Sequence, residues 1–146
     1  MAQALPAPGT NPFGGFWRIA RPLLAAVQNV ANVFAVLILW GSIFTPNVDI
    51  PTVFAWATVP VVVSLVVTLV FLVRTILGRN ALTPTQLNRR LYGSAWALIL
   101  EMGVLALMYG LNEYFGLPPE VILWIVRLGS LGIAGADLYY TGKLLS

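Results

Sequence analysis

Four long runs of mostly apolar residues constrain this chain more than any other feature: 22–44, 52–76, 91–115 and 120–142. A helix needs about 20 such residues to cross a hydrocarbon core. It can do so because it satisfies its own backbone hydrogen bonds where no water is present. Composition agrees. The 146 residues are 59% hydrophobic and 9% charged, where a soluble domain carries about 25% charged residues. One domain of this length has no core large enough for the surplus, so much of it must face lipid. The expected fold is all-α, with four transmembrane helices in an up-down arrangement.

Breakers separate the runs. Pro46 and Pro51 mark the first connection, and Pro118 and Pro119 the third. Thr83-Pro84-Thr85 reads as an N-cap followed by proline at the first helical position. The third helix is therefore expected to start near Pro84, ahead of its span.

The charges then sort by side. Arg18 and Arg21 precede the first span. Arg74, Arg79, Arg89 and Arg90 lie at the second connection, and Lys143 follows the fourth span. The opposite connections hold Asp49, Glu113 and Glu120 and no basic residue. The positive-inside rule makes the basic side cytoplasmic, with both termini on it. The expected location is a plasma membrane, or the inner membrane if the source is bacterial. Aromatic residues fit the same frame. Trp40, Phe44, Trp56, Tyr114 and Trp124 fall near the outer interface, and Trp17, Tyr92, Trp96, Tyr139 and Tyr140 near the inner one.

Residues 1–21 read as an N-terminal tail and interfacial segment ahead of a transmembrane domain at 22–146. Ala, Pro and Gly dominate residues 2–15, and no basic residue precedes Arg18. The first 12 residues therefore read as a flexible tail rather than a cleavable signal. Phe13, Phe16 and Trp17 either lie on the inner surface beside Arg18 and Arg21 or simply lead into the first helix.

The chain has no Cys and no His. Disulfides, thiol nucleophiles and the usual zinc, haem and iron–sulfur ligands are excluded, and no metal or other cofactor is expected. The eight basic residues form no single block, which argues against a nucleic-acid partner. No phosphate-binding loop, dinucleotide fingerprint, zinc-protease motif or nucleophile elbow is present.

Polar residues inside the spans carry the remaining information. The first span holds Gln28, Asn29 and Asn32, the third Glu101 and Asn112, and the fourth Arg127 and Asp137. A charge at the centre of a span costs roughly 2.5–3.5 kcal/mol even on the lenient insertion scale, so these side chains should turn toward protein. At about 1.5 Å rise per residue, Glu101 and Arg127 reach similar depths. A Glu101–Arg127 ion pair is expected, with Asn32 beside it and Gln28 and Asp137 nearer the cytoplasm. The second span has no ionisable residue between Pro51 and Val73. It reads as lipid-facing, with Ser64 and Thr68 bonding to their own backbone.

Spacing suggests a second kind of face. Ser94, Ala97, Glu101, Met108 and Asn112 form one stripe of the third span, and Gly103 and Gly110 fall roughly opposite. Arg127, Ser130, Ala134 and Thr141 form a stripe of the fourth span, with Asp137 at its edge and Gly129, Gly132 and Ala136 on the far side. Small residues allow close backbone approach. The glycine faces are expected to dock another membrane subunit or a second copy.

These features point to a non-catalytic structural or accessory subunit of a larger membrane complex. Its short connections leave no extramembrane domain to hold a substrate. The alternative is a small ion- or proton-coupled transporter or channel using the Glu101–Arg127 pair. An enzyme with Glu101 and Asp137 as acid and base is disfavoured by the absence of His, Cys and a substrate domain.

Overall fold

The computed structural model describes residues 14–145, so the tail expected at 1–12 lies outside the described residues. Four helices follow in order: α1 Gly14–Gly41, α2 Ile50–Leu77, α3 Pro84–Phe115 and α4 Pro119–Leu145. Single 3-10 turns, Ser42–Phe44 and Arg79–Ala81, follow α1 and α2. All four helices are long and apolar enough to cross a membrane, which is consistent with a multi-pass membrane protein. Residues 14–21 are the opening turns of α1, which continues through Pro22. α2 likewise continues through Pro60.

Local chemistry sets the ends. At α3, Thr83 Oγ1 accepts from the Gln86 backbone N–H at 3.2 Å, and Gln86 Oε1 accepts from the Thr83 N–H at 3.2 Å. This reciprocal capping box satisfies two donors that a helix start leaves open. Pro84 occupies the first turn, where no N–H is needed. α3 stops at Gly116, whose φ of 65° is left-handed and whose N–H returns to Asn112 O. Asn112 Nδ2 donates to Leu117 O at 3.0 Å, so this residue of the expected polar stripe closes the turn instead of entering the core. A Cβ on Gly116 would meet nothing within 4 Å. Gly116→Ala should therefore cost about 1 kcal/mol through backbone strain alone, read as a lower melting temperature of the purified protein. Gly116→Asn should cost less, because Asn tolerates the left-handed region.

The bundle is antiparallel throughout. The start of α1 meets the end of α2, with Trp17 edge-on to Phe71 at 5.9 Å. The start of α2 meets the end of α3 through Phe54 and Tyr109 at 6.4 Å. The start of α3 meets the end of α4 through Tyr92 and Tyr140 at 5.7 Å. α4 closes the ring on α1 through Trp40 and Trp124 at 5.8 Å.

Inner faces follow an alternating four-and-three spacing. On α2 the buried stripe is Ala57, Val61, Ser64, Thr68, Phe71 and Thr75, and on α3 it is Ser94, Ala97, Glu101, Val104 and Met108. That period is the seam of an antiparallel bundle. Two apolar clusters result. One gathers Ala35, Leu39, Phe54, Val61, Met108 and Val126 with their neighbours toward the end holding the first and third connections. The other packs Ala25, Val67 and Phe71 against Trp17 and Leu24 at the opposite end. Between them lies a layer of polar side chains. Outward faces carry exposed residues such as Val33, Phe34, Val62, Val66, Leu128 and Leu131, an apolar surface untenable in water on this scale.

Candidate functional site

The polar layer draws one or more side chains from every helix. α1 supplies Gln28 and Asn32, α2 supplies Ser64 and Thr68, α3 supplies Glu101, and α4 supplies Asp137. Gln28, Ser64, Thr68 and Asp137 have no solvent exposure, and Glu101 has 2%. Glu101 Oε2 accepts from Ser64 Oγ at 2.6 Å, Gln28 Nε2 at 2.9 Å and Thr68 Oγ1 at 2.9 Å. The Gln28 amide also reaches Thr68 Oγ1 at 2.8 Å and, more weakly, Asp137 Oδ1 at 3.5 Å. Asn32 Nδ2 donates to Asp137 Oδ2. The two carboxyls lie within hydrogen-bonding reach of each other. A proton shared between them would turn a like-charge repulsion into a hydrogen bond. Glu101, Asn32 and Ser130 also line a cavity of about 20 Å³, large enough for a single water molecule.

This geometry corrects the sequence-based pairing. Glu101 does not meet Arg127. Arg127 Nε donates to Leu39 O at 2.8 Å, and its Nη2 donates to Ser42 Oγ at 2.5 Å. Its guanidinium sits 4.7 Å over the Trp124 ring. Trp40 Nε1 donates to the Arg127 carbonyl at 3.0 Å, tying α1 and α4 a second time. Leu39 O is among the last carbonyls of α1, which have no partner within the helix and lie at the negative end of its dipole. Arg127 therefore serves the C-terminus of α1. Gln28 and Leu39 are eleven positions apart on α1, so the two sites lie roughly 16 Å apart along the axis. The depth argument failed because the ends of the apolar runs misplace the helices in height: the Arg127 backbone stands level with the end of α1, its carbonyl accepting from Trp40 Nε1, and nearby Gly129 faces Leu107, six positions beyond Glu101 on α3.

Asn32 and Gln28 enter the site as expected, but around Asp137 and Glu101. The missed residues are Ser64 and Thr68, which donate to Glu101 rather than only to their own helix. Thr68 does reach Ser64 O at 3.0 Å. Its single proton can serve that carbonyl or Glu101, but not both at once. The available signal was spacing, since Ser64 and Thr68 fall on the four-and-three stripe with Ala57, Val61, Phe71 and Thr75.

The glycine face also shifts. A Cβ on Gly129 would lie 3.5 Å from Leu107 of α3, and one on Gly110 would lie 3.7 Å from Tyr114 of its own helix. Ala136 is half-buried. Gly103, Gly132, Gly135 and Gly142 would place a Cβ in open space. The outward stripe of α4 therefore runs Val121, Ile125, Leu128, Gly132, Gly135, Tyr139 and Gly142, all exposed and again at alternating four-and-three spacing.

Comparison with protein-family models, curated proteins and solved structures gave no match.

Proposed function

We propose that this chain is a multi-pass membrane protein with both termini cytoplasmic, acting as a non-catalytic structural subunit whose α4 packs against a helix of a neighbouring chain. The observation that carries the reading is the exposed α4 stripe centred on Gly132 and Gly135. Its spacing matches that of the inner seams, and among the described residues no atom lies within 4 Å of a Cβ built on either glycine. Glycine costs about 1 kcal/mol relative to alanine within a helix. Close approach of another helix backbone offsets that cost. The polar layer ties all four helices together, with Gln28 Oε1 and Glu101 Oε1 left without a hydrogen-bond partner, and such a tie suits a scaffold.

Gly132→Leu tests this, because a Cβ at that position meets nothing within 4 Å among the described residues. Partners that leave mild detergent with the wild type should be lost at least about tenfold, the equivalent of roughly 1.4 kcal/mol, while the melting temperature of the isolated chain stays unchanged. Retention of the same partners by Gly132→Leu, or a wild type that purifies only as a monomer, would defeat the subunit reading. Orientation is separately checkable. The chain has no native Cys, so Asn80→Cys should react with a thiol reagent from the cytoplasmic side and Asn47→Cys from the other.

A second reading keeps one specific support. The Glu101 and Asp137 carboxyls stand together beside a water-sized cavity, as a proton carrier within a membrane would require. The Arg127 part of that scheme is gone. Flux in reconstituted vesicles that vanishes in Glu101→Gln would favour transport over scaffolding.

A further inference from the structure

The cavity of about 20 Å³ in the polar layer is lined by Asn32, Glu101 and Ser130 among apolar neighbours such as Val61, Val104 and Ile133. Its polar walls offer acceptors. Glu101 Oε2 is taken by three donors, whereas Glu101 Oε1 is buried with no hydrogen-bond partner. Asn32 Nδ2 donates to Asp137 Oδ2, which leaves the amide oxygen of Asn32 for another bond. Ser130 Oγ donates its one proton to the Arg127 carbonyl at 2.9 Å, so only its lone pairs remain to be used. Asp137 follows Ile133 by about one helical turn, on the same side of α4, and its carboxyl lies within hydrogen-bonding reach of Glu101. Gln28 Oε1 belongs to the amide whose nitrogen contacts both carboxyls, and it too is buried without a partner.

A water brings only two protons to this set of oxygens, whereas a cation serves all of them at once. We propose that the cavity binds one dehydrated monovalent cation of sodium size, held by Glu101 Oε1, the Asn32 amide oxygen and Ser130 Oγ, with Asp137 and Gln28 Oε1 beside it. The absence of His and Cys removes soft ligands only. Carboxylate, amide and hydroxyl oxygens are the ligands that hard cations take. Charge and ligand number both favour a single positive charge. With one proton shared between the carboxyls, the pair keeps one negative charge, which a monovalent ion cancels. Among the described residues no third Asp or Glu joins the pair, and a calcium ion takes about 6–8 oxygens. A water-sized volume also places sodium ahead of the larger potassium ion. A buried charge is costly unless it is matched, so occupancy should stabilise the bundle. The inference rests on the polar layer and not on partner docking. Binding is read at equilibrium, so a chain without partners or without flux still satisfies it.

The test is thermal melting of the purified full chain in detergent micelles, titrated with sodium, potassium, choline or calcium chloride at constant ionic strength. Sodium should raise the wild-type melting temperature with the logarithm of its concentration, by about 4 °C or more over a roughly hundredfold range. Potassium and choline should leave it flat. Glu101→Gln, which keeps an oxygen but removes the charge, should lose the rise. Ser130→Ala should need about tenfold more sodium for the same rise. Glu113→Gln, exposed near the end of α3, should respond as wild type does. A wild type with no rise in sodium, or with an equal rise in potassium or choline, would overturn the proposal even if no variant folds. So would an unchanged rise in Glu101→Gln, an equal loss in Glu113→Gln, or calcium acting at lower concentration than sodium.

Discussion

Glu101→Ala should lower the stability of the purified bundle by about 2–4 kcal/mol, read as a shift of the denaturation midpoint in mixed detergent micelles. Three donors converge on Glu101 Oε2. An interhelical hydrogen bond in a membrane bundle averages only about 0.6 kcal/mol, because the dispersed helices find other partners. The bonds alone therefore reach about 2 kcal/mol, and the cavity left by the side chain supplies the rest. Glu101→Gln should cost much less, about 1 kcal/mol. Its carbonyl can accept from the same donors, and its amide can donate toward Asp137 where only a shared proton could before. The ordering of the two variants is the measurement that matters. If both are equally mild, the polar layer does not hold the helices together. If Gln is as severe as Ala, an acidic proton at this position is essential to the fold.

Arg127→Met should act in opposite directions on two measurable steps. Insertion of α4 as an isolated segment should improve by about 2.5–3.5 kcal/mol, because a charge near the middle of the span is removed. The assembled bundle should become less stable by about 2 kcal/mol. Leu39 O and Ser42 Oγ lose their charged donor, Trp124 loses the cation over its ring, and the end of α1 loses its compensating positive charge. Arg127→Lys should recover little of this, since one ammonium on a shorter stem cannot stack on Trp124 while donating to both oxygens. A glycosylation-tagged insertion assay reads the first effect and detergent unfolding reads the second. A gain in both, or a loss in both, would refute the role assigned to this arginine.

Much of the architecture was legible because each apolar run has the length of a helix that can cross a bilayer. The helices overlap the apolar runs at 22–44, 52–76, 91–115 and 120–142, and the start near Pro84 followed from Thr83 and Pro84 alone. The composition of the polar layer was half legible. Gln28, Asn32, Glu101 and Asp137 were visible as residues too costly to face lipid. Their partners were not, because the ends of an apolar run do not fix how high one helix stands against the next, and Arg127 stands level with Trp40 rather than with Glu101. Ser64 and Thr68 escaped notice for a different reason. A hydroxyl that can satisfy itself on its own helix leaves no energetic trace in sequence, so only its place on a periodic stripe reveals an outside acceptor. On α4 the error was angular. Gly129 and Gly132 are three positions apart and about 60° apart around the axis, enough to place one against Leu107 and leave the other open.

The distribution of the polar layer also bears on the order of events during synthesis. Amides reside on α1 and hydroxyls on α2, while both carboxyls arrive later, on α3 and α4. A nascent hairpin of the first two segments can thus join Gln28 to Thr68 and Thr68 to Ser64 O, while Ser64 Oγ and Asn32 Nδ2 still wait for acceptors on α3 and α4. If the chain enters a membrane as proposed, such a half-molecule has reason to linger beside the insertion machinery until the last segment supplies Asp137.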